Sequence, residues 1–219
     1  MEEKQRHYFL NSEHSPEEYF SFKIQFRDHD FVVNSCSDIF SKDELDNGTK
    51  LLLETVIDKV VPDKKETSIS FLDMGCGYGI IGIVLASFYP CSIVDMVDIN
   101  ENAVKLARKN ADKNKVCNVR DVFVSDGYTS VISNYDYIIT NPPIKAGKEN
   151  LFRLIGEGYY YLKDGGKIVL VIRKKHGEES LKEMMTKTFG NCEILKREKG
   201  FYILCSQKKQ PEELDASRI

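Results

Sequence analysis

From Ser68 onward the sequence alternates short β-rich runs with helical patterns, and this alternation is the signature of βαβ units on a parallel sheet. Strands are expected at Ile69 to Met74, Ser92 to Val97, Val119 to Val124, Tyr135 to Thr140 and Lys167 to Ile172. Helices are expected at Ile80 to Phe88, Glu101 to Lys113, Glu149 to Leu162 and Glu178 to Phe189. The second of these carries Ala103, Leu106, Ala107 and Ala111 on one stripe, with Lys105, Arg108 and Lys109 turned away, as a helix lying on a sheet requires. Two further runs, Cys192 to Arg197 and Phe201 to Ser206, are joined by GluLysGly at 198 to 200 and read as an antiparallel hairpin.

Upstream, Phe20, Phe22, Ile24 and Phe26 alternate with Ser21, Lys23, Gln25 and Arg27, the period of a half-buried strand. AspHisAsp at 28 to 30 before PheValVal makes this an N-terminal hairpin, and a helix is expected from about Leu51 to Val61, stopped by Pro62. The 219 residues suit one domain, since about 100 to 200 residues is usual. We divide it into a hairpin-and-helix extension at 1–62, a ligand-binding core at 63–208 and a flexible tail at 209–219, fraying from Gln207 on.

The run PheLeuAspMetGlyCysGlyTyrGly, 71 to 79, ends a strand and opens a helix. Gly75, Gly77 and Gly79 remove side chains where the backbone turns and lets a ligand lie against it. Asp73 puts a carboxylate where the loop begins; it would repel a pyrophosphate but suits the cationic amino-acid end of S-adenosylmethionine. Gly77, Gly79 and Gly82 also satisfy the dinucleotide fingerprint GxGxxG. Asp98, at the end of the next strand, serves either cofactor by holding ribose hydroxyls, so loop and acid together indicate a nucleoside-type cofactor without choosing one.

AsnProProIle at 141 to 144, directly after a strand, makes the choice. Consecutive prolines fix the backbone and remove two amide donors. The Asn141 side-chain carbonyl and the Pro142 backbone carbonyl can then both accept from one NH2 group, aiming its lone pair at an electrophilic methyl. A nicotinamide enzyme has no use for that arrangement. As an isolated tripeptide AsnProPro is only a turn; its meaning comes from its place after the glycine loop, Asp98 and SerAspGly at 125 to 127. Asp126 falls at the carboxyl edge of the sheet and is assigned to the adenine amino group.

AspMetGlyCysGlyTyrGly, AspIleAsn, SerAspGly and AsnProProIle, in this order, resemble the class I S-adenosylmethionine-dependent methyltransferases with an NPP motif. PheSerLysAspGluLeuAspAsnGlyThrLysLeuLeuLeuGlu, 40 to 54, is similar to the methyltransferase small domain group, which includes small-subunit rRNA guanine-N2 methyltransferases and their single-domain relatives. The resemblance implies an α/β, Rossmann-like fold: a mainly parallel seven-stranded sheet, helices on both faces and a C-terminal antiparallel hairpin. It implies that Asp73, Gly75, Gly77 and Gly79 cradle the methionine part and Asp98 the ribose, with Asp126 by the adenine and Asn141 and Pro142 on the target amine. Asn141 also counts among the cofactor contacts, and Asp46, Gly48 and Thr49 would line the cofactor's way in. Ile144 stands where the group commonly has Phe or Tyr, so a planar target is either sandwiched elsewhere or held less tightly.

Lys145, Lys148, Arg153 and ArgLysLys at 173 to 175 fall in segments flanking the same edge, with Lys196, Arg197 and Lys199 as an extension. In a chain of net charge −3 and pI about 5.9, such a local basic patch favours a polyanion. Pro143, Ile144, Lys145, Lys148 and Arg173 are the candidate substrate contacts, and RNA, small-subunit rRNA by the resemblance, the candidate partner. Guanine N2 is the first choice of target. Adenine N6, glutamine N5 in a protein and a small-molecule amine remain open, as does a non-catalytic binding module. Six scattered cysteines, without a CxxC pair, read as small buried hydrophobes, so neither disulfides nor a metal site are expected. The N-terminus lacks the apolar core of a signal peptide and the apolar run Ile80 to Phe88 is too short for a bilayer, so a cytoplasmic protein without membrane contact is expected.

Overall fold

Apolar residues on both faces of successive strands leave no face for water, and the chain meets that constraint by sandwiching one sheet between two helical layers. The computed structural model describes residues 19–36, 45–61, 68–143, 147–174 and 176–209. Pro62, Ile144, Lys145, Lys175, the beginning of the 40–54 segment and residues 210–219 lie outside the described residues.

The main sheet contains β3 (Ser70–Met74), β4 (Ile93–Asp98), β5 (Val119–Val124), β6 (Tyr135–Thr140), β7 (Leu162–Arg173), β8 (Glu193–Glu198) and β9 (Phe201–Gln207). Its order is β5-β4-β3-β6-β7-β9-β8. The first five pair in parallel, and β9 runs antiparallel between β7 and β8. The expected seven-stranded, mainly parallel sheet with an antiparallel end is thus observed, and the helices distribute over both faces. Neighbouring residues divide between the two cores: Phe71, Ile139 and Val169 join one, Leu72, Ile138 and Leu170 the other. The first core receives α1 (Asn47–Thr55), α2 (Ile80–Phe88) and α3 (Glu101–Lys113), the second α4 (Lys148–Tyr161) and α5 (Glu178–Phe189). No described helix is long and apolar enough to cross a membrane, and the described residues contain no group of side chains that could hold a metal ion.

Several expected boundaries move, each for a local reason. The first helix begins at Asn47 rather than about Leu51, because the Asp46 side chain caps it, accepting from the backbone N–H of Gly48 at 2.9 Å and Thr49 at 3.0 Å. It continues as a π-helical turn, Val56–Val60. β7 begins at Leu162, ahead of the expected Lys167, with Leu162 opposite Tyr135 and a register shift before Lys167 opposite Tyr137. Gln207 and Lys208 do not fray: Gln207 lies in β9 and the Lys208 N–H donates to the Gly166 carbonyl at 2.9 Å. The cysteine reading needs correction as well, since Cys76 and Cys205 are buried but Cys91 and Cys117 are exposed, as turn positions outside the core allow.

β1 (Tyr19–Phe26) and β2 (His29–Cys36) form the expected N-terminal hairpin, with Ile24, Phe26, Phe31 and Val33 turned into the first core. Two asparagines one helical turn apart, Asn110 in α3 and Asn114 at its C-terminal cap, hold its β2 strand. Asn114 pairs with both backbone groups of Val32, and Asn110 with both of Asn34, at 2.8 to 2.9 Å. A helix face thereby completes the hydrogen bonding of a strand edge.

Candidate active site

Parallel strands point their carboxyl ends to one side of a sheet, and the loops leaving those ends meet there. The carboxyl ends of β5, β4, β3 and β6 and the loops leaving them carry Asp126, Asp98, the glycines and Asn141 respectively, so sheet order sets these residues side by side. Strand order reverses between β3 and β6, where such folds open a crevice.

The glycine loop is hung from the neighbouring strand: the N–H groups of Gly75 and Cys76 both donate to the Val97 carbonyl at 2.9 Å. Gly75 has φ +72°, and a Cβ built there would meet nothing within 4 Å, so the backbone borders open space. At Gly79, φ +88°, a Cβ would come within 2.9 Å of the Ala107 Cβ; here glycine lets α2 start against α3. Asp98 receives the Gly77 N–H on Oδ2 and the Asn100 N–H on Oδ1, both at 2.9 Å. An ionised carboxylate has about four acceptor positions, and the N–H groups of Gly77, Asn100 and Ile99 leave room for a ribose hydroxyl. Burial raises the Asp98 pKa, and the N–H bonds from Asn100, Gly77 and Ile99 oppose that rise.

Asp73 lies near the carboxyl end of β3, just ahead of the glycine loop. It is 0% exposed, and Oδ2 accepts from the Gly82 N–H at 2.9 Å beneath the first turn of α2. Gly82 permits this approach, because a Cβ there would lie 2.4 Å from Met96 Sδ and 3.3 Å from Asp73 Oδ2. Oδ1 of Asp73 is buried without a hydrogen-bond partner. Burial, and secondarily the charge of Asp98, push the Asp73 carboxyl up to about 7.

On the other side of β3, Thr140 donates to the Met74 carbonyl at 2.7 Å and fixes the end of β6. Asn141 follows, half-buried, with Pro142 buried and Pro143 half-buried. Asn141 Nδ2 donates to Thr49 Oγ1 at 2.8 Å, and Thr49 Oγ1 donates to Asp46 Oδ2. Thr49 is thus brought directly to Asn141, across 92 positions of sequence, and Asp46 is joined to it through Thr49. Gly48 sits beside them with no room for a side chain, since a Cβ would be 2.9 Å from the Phe201 ring, and Arg173 covers that ring at 5.0 Å from its centroid.

The basic side chains divide. Arg173 and Lys148 are exposed, Lys148 lying 5.1 Å from the centroid of Phe152. Arg153 is instead engaged by Asp126 at 2.9 Å and faces Glu157 at 3.7 Å. This pairing withdraws Arg153 from the free cations and occupies one oxygen of Asp126. Lys196 faces Glu198 at 3.4 Å.

Residues 30–205 match the model of a family described as the methyltransferase small domain. The chain belongs to the methyltransferase small domain family. Its class of chemistry is therefore S-adenosylmethionine-dependent methyl transfer, the nucleoside-cofactor class that the glycine loop and Asp98 indicate. The chain is 35% identical over 206 residues to the uncharacterized protein YbxB of Bacillus subtilis (strain 168), covering 92% of this chain and 98% of that one. It is 30% identical over 191 residues to ribosomal RNA small subunit methyltransferase C of Aliivibrio salmonicida, and covers 52% of its length. The fold superposes on RsmC of T. thermophilus, a 16S rRNA guanine-N2 methyltransferase solved with AdoMet and guanosine, with a TM-score of 0.76 at 21% identity, over 89% of this chain and 52% of that one. The small-domain chain thus spans nearly all of YbxB but about half of the rRNA enzymes.

Proposed function

We propose that this chain methylates the exocyclic N2 amine of a guanine in RNA, of the small-subunit rRNA type, with S-adenosylmethionine as donor. The cofactor fits the residues present: the backbone at Gly75 borders open space, Asp98 keeps unused acceptor positions, and Asp73 holds an unpartnered oxygen whose charge a nearby cation would stabilise. In this reading the glycine loop above Asp73 holds the methionine part, Asp98 the ribose, and the remaining oxygen of Asp126 the adenine amino group. When bound, the cofactor would supply a methyl already activated by the sulfonium, leaving S-adenosylhomocysteine as a neutral thioether, while the amine's surplus proton passes to water, so no strong base is needed.

The observation that carries the amine reading is the orientation of Asn141. With its NH2 committed to Thr49, its carbonyl Oδ1 is the end left to accept from a substrate amine. Together with the carbonyl of Pro142 it would hold one NH2 group and turn its lone pair toward the methyl, which is catalysis by positioning. Arg173 and Lys148, exposed near this edge, suit a phosphate backbone. RNA is also the substrate of the rRNA methyltransferases whose length this chain half covers, which supports the reading.

Two measurements on the purified protein test this. Calorimetric titration is expected to show binding of S-adenosylmethionine and none of NADH. With methyl-labelled donor and ribosomal subunits, label is expected in the phenol-extracted RNA. Label found in ribosomal protein, or binding of NADH alone, contradicts the proposal.

A further inference from the structure

A threonine hydroxyl carries one proton, and where that proton goes decides what Thr49 can offer its other neighbour. Asp46 Oδ2, when ionised, can only accept, so the Thr49 proton is spent on the carboxylate. Thr49 Oγ1 then faces Asn141 with lone pairs alone, and only the NH2 end of the Asn141 amide can meet it. The flip of Asn141 is thus dictated by the chemistry of its neighbours. Thr49 is 4% exposed, and Asp46 is pinned by the backbone N–H groups of Gly48 and Thr49, so neither end of the chain is free to turn.

We propose that Asp46 and Thr49 are positioning residues that set the hydrogen-bond polarity of Asn141, holding its carbonyl toward the substrate and so making the site select an amine donor. This rests on the reading of Asn141 as the amine acceptor. It assigns the two residues a role in substrate choice in place of lining the cofactor's way in. The same polarity excludes a ring that presents hydrogen or an oxo group where guanine presents NH2, because the acceptor, covered by the bound base, would be left unpaired.

Asp46→Asn tests polarity apart from packing. Asparagine caps a helix as well as aspartate does, so Oδ1 still receives Gly48 and Thr49. Its NH2, however, now donates to Thr49, sends the hydroxyl proton to Asn141 and turns that amide over. Thr49→Val deletes the relay, and Thr49→Ser retains it. The readout is the affinity for guanosine 5′-monophosphate relative to inosine 5′-monophosphate, titrated with S-adenosylhomocysteine present, with the thermal midpoint of each variant as the control. Wild type and Thr49→Ser are expected to prefer the guanine nucleotide by about tenfold or more, and Asp46→Asn and Thr49→Val by less than about threefold, with Asp46→Asn melting near wild type. Loss of affinity for both nucleotides in equal proportion would mean a structural role only and overturns the proposal. A preference kept in Asp46→Asn and Thr49→Val but lost in Asn141→Ala overturns the relay and leaves the amine reading standing. A preference absent from wild type, or kept in Asn141→Ala, overturns both.

Discussion

Asn110 in α3 donates to the carbonyl of Tyr78 in the glycine loop at 2.8 Å, while its other amide proton and its oxygen hold Asn34 of β2. One buried amide therefore fastens the N-terminal hairpin to the loop that borders the proposed cofactor site. All its hydrogen-bonding capacity is used, which is the condition under which a buried amide stabilises a fold.

Removing it leaves backbone groups of both segments unpaired. Asn110→Ala is expected to cost about 2 to 3 kcal/mol, lowering the thermal midpoint by about 4 to 10 °C, and to weaken S-adenosylmethionine binding because the loop loses its anchor. Calorimetry and thermal unfolding of the same preparation check both; an unchanged affinity would separate the hairpin from the site.

Asn141→Ala is expected to reduce methyl transfer by at least about a hundredfold, while S-adenosylmethionine affinity stays within about threefold. Single-turnover transfer and calorimetry measure the two quantities. Activity within a few fold of wild type removes Asn141 from the reaction.

Asp98→Ala acts on the cofactor instead. Ribose hydroxyls losing a charged acceptor should weaken S-adenosylmethionine about 10- to 100-fold. Unchanged affinity in this variant would cancel the ribose assignment.

Asp73 gives a pH signature. Its carboxyl is pushed up to about 7 by burial, from an ordinary value of 3.8. Between those values the folded protein keeps a proton that the unfolded chain has lost, so this group's contribution is present at low pH and is lost as pH rises through about 7. Asp73→Asn cannot ionise and should gain on wild type in midpoint progressively as pH rises from about 4 to about 7, with no further gain above that. Parallel melting curves for the two proteins across that range would contradict the placement of Asp73.

The sheet was legible because periodicity and glycine placement are local. Five strands and the terminal hairpin could be placed from alternation alone, and the comparison with RsmC agrees with the arrangement. The site was legible as residue types, not as contacts. Thr49 and Asn141 are 92 positions apart, and nothing in either segment says that one will donate to the other. Asn110 in α3 and Asn114 at its end were hidden for a related reason: their partners are backbone groups of a strand 76 to 82 positions earlier, which carry no side-chain signature. The start of α1 was missed since the segment before Asn47 offers several capping residues, and only the fold shows that Asp46 is the one used. Asp73 was placed on the right strand, but its burial depends on Gly82, whose missing side chain admits the carboxylate beneath α2.

The most direct test of the account is the identity of the methylated product. Small-subunit particles or their rRNA, incubated with the protein and methyl-labelled S-adenosylmethionine, are digested to nucleosides and resolved by mass spectrometry. The account predicts label in N2-methylguanosine, abolished by Asn141→Ala; label in N6-methyladenosine, or none in RNA while protein or small amines are labelled, contradicts it.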